Sequence, residues 1–181
     1  IVVEGAEQSI AIPTPRQSRA GADGFALSLA DFVAPEGYDD QICLFAATVP
    51  QTLVAAIEHY KQVGDDYNAL LYQSLADRVV EATSEYMHRQ MRYHWLHTWE
   101  EDAEQAVAAE DNLTIPQLFA AKYRGIRPAV GYSCLPEQRI IFDIDRVLHL
   151  SEVGISLTES GAMYPQSSVC GLYIGSKSAR Y

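Results

Sequence analysis

The chain has 181 residues and a mass of 20.1 kDa, and its 48% hydrophobic content can bury a substantial core. This composition excludes a disordered chain, a collagen-like chain and a small disulfide scaffold. Asp and Glu outnumber Lys and Arg by 24 to 13, and the formal net charge of −11 has the wrong sign for binding nucleic-acid phosphates. No apolar run approaches the ~20 residues of a transmembrane helix, so the sequence predicts a soluble, cytoplasmic protein.

Three cysteines, Cys43, Cys134 and Cys170, lie far apart, and none of them belongs to a Cys-x-x-Cys pair. This spacing suits neither a disulfide framework nor a zinc site built from thiolates. The simplest interpretation is three small buried thiols in a reducing compartment.

The N-terminal part of the chain favours short extended elements joined by loops. Apolar runs at residues 1–3 and 10–12 predict a hairpin or a strand interrupted by a loop. Residues 13–24 are rich in Pro, Arg, Ser and Gly and indicate a loop. Residues 25–32 alternate well enough in polarity to predict a strand.

The middle of the chain has the strongest helix signals. Residues 42–49 predict a buried strand that leads into a helix over residues 50–64, with proline at its start and glycine at its end. Asp65 and Asp66 supply carboxylates for the N-terminus of the longest helix, which is expected to run into residues 94–104. The apolar stripe that we expect to pack against the core consists of Leu71, Leu75, Val79, Ala82 and Tyr86.

Two further helices are predicted after the longest one. Thr114 and Gln117 form a capping-box pattern, which indicates a short helix that ends before Gly125. Another helix is expected over residues 143–153, because Gly154 is a typical residue for a helix end.

Two strands are expected near the C-terminus, at residues 155–159 and 167–174, with a turn-rich segment between them. Strands therefore flank a block of helices instead of alternating strictly with them. This order predicts an α+β fold with a mixed or antiparallel sheet.

The most unusual segment runs from residue 123 to residue 136. Two prolines fix backbone angles, two glycines allow close approach to the backbone, and Arg127 and Tyr132 add a planar cation and a phenol. Such a loop can present free amides and a guanidinium to a small anionic group. The alternative is a helix end followed by an ordinary connector with an exposed arginine, and the residue pattern leaves both open.

A second candidate site consists of His94 and His97, with Glu101 beyond them. Residues three or four apart share a helix face, so these side chains can ligate one metal ion. The favoured interpretation is the solvated tail of an amphipathic helix, so no metal site is predicted. The sequence contains neither a Gly-x-Ser-x-Gly motif nor a Gly-rich phosphate loop, so neither chemistry is predicted.

Several segments resemble one known family. Residues 127–132, Arg-Pro-Ala-Val-Gly-Tyr, closely resemble the Arg-Pro-Ala-Pro-Gly-Tyr signature of the activation domain of cobalamin-dependent methionine synthase. Residues 29–35, Leu-Ala-Asp-Phe-Val-Ala-Pro, resemble another segment of that family. Residues 65–88 are similar to its long helix, and residues 157–171 to its late hairpin.

The resemblance implies an activation-domain-like fold with a bent sheet and a long central helix, as one module over residues 1–181. It also implies S-adenosylmethionine as a ligand. In that family the domain supports reductive methylation of oxidised cobalamin in methionine synthase, a methyltransferase of methionine biosynthesis. The implied partners are the cobalamin-binding module, which carries the cobalamin, and a flavodoxin-like reductase. Cobalt is the nucleophile and the sulfonium is an activated donor, so no catalytic residue is expected in this chain.

The resemblance also implies which residues contact the ligand. Arg127 is expected to pair with the methionyl carboxylate, for which its fork of donors is suited. Ala129 and Gly131 are expected to give backbone contacts, and Tyr132 to lie near the methyl group. Tyr181 matches the first of two tyrosines that lie against the ligand in the family. Glu81 is a candidate partner for the sulfonium or amino group, and the turn at residues 162–165 matches a loop that approaches the corrin ring.

The chain departs from the family pattern at its ends. The family's N-terminal Asp-Trp-Thr-Pro-Phe-Phe motif, whose aspartate contacts the ligand, has no counterpart here, and neither has the closing strand and helix. The expectation is therefore an activation-domain module that is incomplete at both ends. The alternative function is a docking protein of the same fold, which binds a cobalamin or reductase partner without using S-adenosylmethionine.

Overall fold

The computed structural model describes residues 1–5, 8–21, 24–38, 40–94 and 113–180, and its strands pair two by two in antiparallel fashion. The helices are α1 Gln51–Gln62, α2 Asp66–His94, α3 Ile115–Phe119 and α4 Ile140–Leu148. The strands are β1 Val2–Glu4, β2 Ser9–Ala11, β3 Ile42–Thr48, β4 Ser156–Leu157, β5 Met163–Tyr164 and β6 Ser168–Ile174. The predicted α+β class with antiparallel pairing is confirmed.

The N-terminal hairpin is confirmed, since β1 and β2 pair with Val3 opposite Ile10. The strand predicted over residues 25–32 is wrong, because residues Leu29–Phe32 form a 3₁₀ helix. Ser28 caps this helix, and its backbone N–H donates to Asp31 Oδ2 at 2.9 Å. These local side-chain bonds compete with strand pairing, which explains the difference.

The centre of the fold is the pair β3–β6, in which Leu44 lies opposite Leu172 and Phe45 opposite Gly171. Successive side chains of a strand point to opposite faces. Cys170, Leu172 and Ile174 therefore face a core that also contains α4. Residue Tyr173 faces the other side, towards α2. The β3–β6 pair thus separates two layers of helix.

Helices α1 and α2 pack together on one side of β3–β6, and their termini agree with the sequence. Gly64, with φ of +75°, follows the end of α1. The side chain of Asp65 accepts a hydrogen bond from the backbone N–H of Asn68 at 3.0 Å, which caps α2. The described part of α2 ends at His94, and the expected continuation lies outside the described residues.

The predicted apolar stripe of α2 is wrong as a core-facing surface. The stripe is exposed: Leu71 is 51%, Leu75 52% and Tyr86 59% accessible, and the remaining two members are exposed as well. The buried positions are instead Ala69, Ala76, Val80, Ser84, His88 and Arg92. Two of these are alanines, whose small side chains let a helix approach its neighbours closely, so the large apolar residues are left outside.

The helix predicted over residues 143–153 begins earlier and is divided. Residues Ile140–Leu148 form α4, and Leu150–Val153 form a 3₁₀ helix after it. His149 breaks the helix, with φ of +51°. Asp145 then caps the second part by accepting the Leu150 N–H at 2.9 Å. The predicted end at Gly154 is confirmed.

The C-terminal strands and the capping-box helix follow the sequence with one change. Thr114 and Gln117 form the predicted capping box at α3. The strand expected at residues 155–159 is reduced to β4, which pairs with β5 inside the turn-rich segment. All three cysteines are free thiols, and Cys134 and Cys170 are buried. No helix in the described part of the chain combines the length and apolarity of a membrane span.

Candidate functional site

The unusual segment, of which residues 125–132 are called the bend, lies along the free edge of β6. Ile126 exchanges two backbone hydrogen bonds with Ile174, at 2.9 and 3.0 Å. Further along, the Leu172 N–H donates to the Pro128 carbonyl at 2.9 Å. The bend is therefore held like a third strand next to β3–β6, although prolines and glycines interrupt it.

Two glycines make this close approach possible. A Cβ added to Gly171 would lie 2.2 Å from the Pro128 carbonyl oxygen, far inside van der Waals contact. Gly125 has φ of +79°, and a Cβ there would lie 2.5 Å from the Ile174 carbonyl oxygen. Because both neighbours are backbone atoms, neither can move aside without separating the bend from β6.

A cavity of about 590 Å³ lies between the bend, α2 and the segment around α3. Small-molecule sites in proteins commonly measure about 300–1,000 Å³, so the cavity has the size of a ligand site. Its lining residues come from six parts of the chain: Phe45; Glu81, Ser84 and Glu85; Leu118, Phe119, Ala121 and Tyr123; Gly125, Ile126, Arg127, Pro128, Ala129, Tyr132 and Cys134; Val169; Ala179 and Arg180.

Arg127 is the half-buried cation of this cavity. Its Nη1 donates to Glu85 Oε2 at 2.5 Å and to the Tyr123 hydroxyl at 2.8 Å. The side chains of Arg127 and Glu85 are 26% and 31% exposed, so the pair is screened from water on most sides. Burial lowers the pKa of Arg127, but Tyr123 and Glu85 outweigh it and the net pKa is raised. The guanidinium therefore stays charged at the cavity wall.

Tyr123 is held by ring contacts on more than one side. The Arg92 guanidinium carbon lies 4.2 Å from the centroid of its ring, and the His88 ring meets it edge-on at 5.5 Å. His88 in turn stacks on Tyr173 at 5.0 Å, and Tyr173 stacks on Phe45 at 4.2 Å. A column of four rings thus connects β3, β6, α2 and the segment that leads into the bend.

His88 is a buried imidazole inside this column. It is fully inaccessible to solvent, and neither ring nitrogen has a hydrogen-bond partner among the residues that the structure describes. Burial, followed by the positive charges of Arg92 and Arg127, lowers the pKa of His88 to about 2. The ring is therefore neutral at physiological pH and serves as an aromatic packing group.

The structure brings four of the six sequence-predicted ligand residues together: Glu81, Arg127, Ala129 and Tyr132 all line the cavity. Gly131 is not among the lining residues, and its N–H donates to the Leu135 carbonyl at 2.9 Å. With φ of +90°, Gly131 makes a turn, and its expected backbone contact stays a prediction. Tyr181 lies outside the described residues.

Ala129 offers a backbone donor. Ala129 and Gly171 face each other as an antiparallel pair whose hydrogen bonds are made by their neighbours. In such a pair both residues turn their own N–H and C=O groups away from each other. Within the described ranges the Ala129 N–H has no hydrogen-bond partner, so it is available on the side away from β6.

Sequence reasoning missed Glu85 and Tyr123 as site residues. Glu85 lies one helical turn after Glu81, so it shares the same face of α2. Tyr123 lies four residues before Arg127, in the segment already singled out. Helical spacing indicates that Glu85 accompanies Glu81, but only the packing of α2 against the bend shows that Arg127 pairs with it.

The metal candidate cannot be assembled from the described part of the chain. His94 is the exposed last residue of α2, whereas His97 and Glu101 lie outside the described residues. The favoured interpretation, a solvated helix face without a metal, therefore stays a prediction. The turn expected to approach a corrin ring forms β5, with Tyr164 exposed and Met163 half-buried.

Comparison with known proteins identifies the family. Residues 2–181 match the family model described as the activation domain of vitamin B12 dependent methionine synthase. The chain belongs to this family. The resemblance stated from the bend and the long helix is thereby confirmed, and the match includes the N-terminal hairpin, which the resemblance had not covered.

A solved structure agrees with this assignment. The chain is similar to a crystal structure described as the MetH reactivation domain bound to AdoHcy, with 35% sequence identity and a TM-score of 0.78. The similarity covers 92% of this chain and 49% of the solved chain. The sequence therefore spans about half the length of the solved reactivation domain that it matches.

Proposed function

We propose that this activation-domain chain binds S-adenosylmethionine in the cavity beside the bend and serves in reactivating a cobalamin-dependent methionine synthase. The observation that carries the proposal is the position of Arg127, half-buried at the wall of a cavity of ligand size. The similar reactivation domain was solved with AdoHcy, which is S-adenosylmethionine without its transferable methyl group.

The charges of the cavity suit an amino-acid group that is attached to a sulfonium. Arg127 offers a planar fork of donors for the carboxylate, and the free Ala129 N–H adds a neutral donor at the same edge. Glu81 supplies a negative charge for the ammonium or the sulfonium. These charges have opposite signs and come from different elements, so they can bind the two ends of a zwitterion.

The chemistry of the reaction requires placement more than reactive side chains. When bound, S-adenosylmethionine supplies an activated methyl group, and a cobalamin carried by a partner module supplies the centre that accepts it. The residues of this chain bind and orient the donor, which lowers the entropic barrier of a bimolecular step. Tyr132, 62% exposed beside the cavity, is suited to line the side from which the partner module approaches.

Isothermal titration calorimetry of the chain with S-adenosylmethionine tests the proposal. We expect saturable binding at one site per chain, and competition by AdoHcy. Methylthioadenosine, which lacks the amino-acid group, should bind more weakly because it cannot use Arg127. Absence of saturable heat with S-adenosylmethionine would overturn the proposal.

The proposed function also requires an electron donor. A flavodoxin-like protein would supply the electron for the reductive methylation, and acidic flavodoxins are an awkward match for a chain with a net charge of −11. We therefore expect the association of the two proteins to strengthen as salt concentration rises. Binding measured by analytical ultracentrifugation at two salt concentrations checks this expectation.

Docking of a protein partner is a second candidate function, and the exposed stripe of α2 favours it. Leu71, Leu75 and Tyr86 are each more than half accessible, and scattered single apolar residues are far commoner on surfaces than such a row. Binding of a cobalamin module that is unchanged in Arg127→Ala and unaffected by S-adenosylmethionine would support docking as the sole function.

A further inference from the structure

We propose that Glu85 and Tyr123 are positioning residues, which hold Arg127 so that one edge of its guanidinium is presented to the carboxylate of the ligand. This inference rests on the proposed function. It concerns two residues that do not themselves contact the carboxylate in the arrangement proposed above. Their role is to fix the orientation of the residue that does.

The first observation is that both hydrogen bonds of Arg127 use the same nitrogen. Nη1 donates to Glu85 Oε2 and to the Tyr123 hydroxyl, while Nε and Nη2 have no partner within the described ranges. Nε and Nη2 lie on one edge of the planar group, and this edge can donate two parallel hydrogen bonds to a carboxylate. The two partners thus occupy the opposite side and leave the fork free.

The second observation is that the two partners also bond to each other. The Tyr123 hydroxyl donates to Glu85 Oε2 at 3.0 Å, which closes a triangle of three hydrogen bonds with Arg127 Nη1. A triangle restricts the guanidinium more than one ion pair does, because rotation about any one contact breaks another. Arginine has a flexible side chain with much rotamer entropy, and a side chain that is already fixed does not lose this entropy again on binding.

The third observation is that the partners are themselves fixed. The Tyr123 ring packs against the Arg92 guanidinium and the His88 ring. Glu85 follows Ser84 on α2, and the Ser84 carbonyl accepts the hydroxyl of buried Tyr173 at 3.0 Å, which fixes the rotation of the helix here. Tyr123 and Glu85 are therefore held in place when a ligand binds to Arg127.

A purely electrostatic role and a positioning role of Glu85 predict opposite changes in ligand affinity when Glu85 is removed. A negative charge next to Arg127 weakens the attraction of this site for a carboxylate, so removal of Glu85 would strengthen binding if charge were all that mattered. If Glu85 acts by positioning, its removal weakens binding. The sign of the change therefore separates the two roles.

Calorimetry with two ligands, on the wild-type chain and its variants, tests the inference. S-adenosylmethionine carries the carboxylate, and decarboxylated S-adenosylmethionine keeps the sulfonium and the amine but lacks it. We expect Glu85→Met, which removes the acceptor and keeps the length, to weaken binding of the first ligand about tenfold and to leave the second within about twofold. Tyr123→Phe, which keeps the ring, should weaken the first ligand roughly threefold.

The conservative variant and a matched control sharpen the result. Glu85→Gln keeps an acceptor oxygen and should restore part of the affinity that Glu85→Met loses. Glu58→Gln makes the same chemical change at the exposed Glu58–Lys61 pair of α1 and should bind both ligands like the wild type. Thermal unfolding of each variant shows whether it is folded, and Tyr123→Phe provides the test if Glu85→Met does not fold.

The outcomes separate this inference from the proposed function. Failure of the wild type to bind S-adenosylmethionine overturns both. If the wild type binds, equal or tighter binding by Glu85→Met overturns the positioning role alone. The same loss for both ligands also overturns it, because it would show a structural effect that is not specific to the carboxylate.

Discussion

The two faces of α2 differ in a way that reverses the usual expectation for an amphipathic helix. One face, here called the site face, consists of Ser84, His88 and Arg92 with Glu81 and Glu85 beside them, and it adjoins the cavity and the ring column. The other is the exposed stripe, rich in leucine, valine and tyrosine. Ser84, His88 and Arg92 are buried, whereas the apolar stripe is open to solvent.

The difference shows that the environment of a helix face is decided by its neighbours as well as by its own polarity. Three polar residues of the site face have partners that favour burial: Ser84 bonds to the Val80 carbonyl, His88 stacks between rings, and Glu85 binds Arg127. Covered polar residues cost free energy unless they are paired or stacked, so they are expected where a helix carries a site.

Replacing Gly171 by alanine should disrupt the contact between β6 and the bend. The added Cβ would lie 2.2 Å from a backbone oxygen of the bend, so the bend must separate from β6. We expect the free energy of unfolding to fall by about 3 kcal/mol, measured by urea denaturation.

Gly37→Ala is the control for that variant, because nothing lies within 4 Å of a Cβ added there. It should cost only about 1–2 kcal/mol, for the left-handed backbone of Gly37. An equal loss for both glycines would show that the contact between the bend and β6 contributes little.

Arg127→Ala should remove the cation that the site face holds in place. Loss of a charged hydrogen bond is expected to weaken binding of S-adenosylmethionine by about 1.5–3 kcal/mol, measured by calorimetry. The control is Arg146→Ala, which breaks the exposed pair of Arg146 with Asp143 and should not change binding. Undiminished affinity in Arg127→Ala would place the ligand elsewhere.

His88→Phe should change how stability depends on pH. The folded-state pKa of His88 is about 2, below its ordinary value of 6.5, so below pH 6.5 the unfolded chain takes up a proton that the folded chain does not. This contribution to stability is complete above pH 6.5 and falls by about 1.4 kcal/mol for each pH unit below it.

Urea unfolding at pH 7.5 and 5.5 checks this expectation. The free energy of unfolding of the wild type should fall between these values by about 1.4 kcal/mol more than that of His88→Phe, because phenylalanine keeps the stack without a proton site. The same substitution at exposed His59 on α1 is the matched control. Identical pH slopes in the wild type and His88→Phe would argue that His88 becomes protonated in the folded chain.

The smallest effect is expected on the exposed stripe. Leu75→Gln should change the free energy of unfolding by less than about 0.5 kcal/mol, because the side chain is already half in water. Ala76→Gln, at the fully buried neighbouring position, should cost about 2–3 kcal/mol, since a long polar side chain has no room there. If Leu75→Gln were the more destabilising of the two, the assignment of the two faces would be wrong.

Much of the fold was predictable because its signals are local. The hairpin β1–β2, strand β3 and the ends of α1 follow from short apolar runs, a proline and a glycine. The start of α2 and the capping box of α3 follow from side chains that bond to backbone groups three residues away. The 3₁₀ helix at Leu29–Phe32 was missed, although its capping serine and aspartate are equally local.

The family, the bend and the identity of its arginine could be recognised from the sequence, because they depend on residue types at fixed spacing. Which face of α2 is covered depends on long-range packing. The contacts of Glu85 with Arg127, 42 residues away, and with Tyr123, 38 residues away, depend on it too. The two groups of features differ in the sequence distance over which the interactions that create them act. Caps, prolines and periodicity act within a few residues, whereas the meeting of α2 with the bend depends on glycines that let β6 and the bend touch.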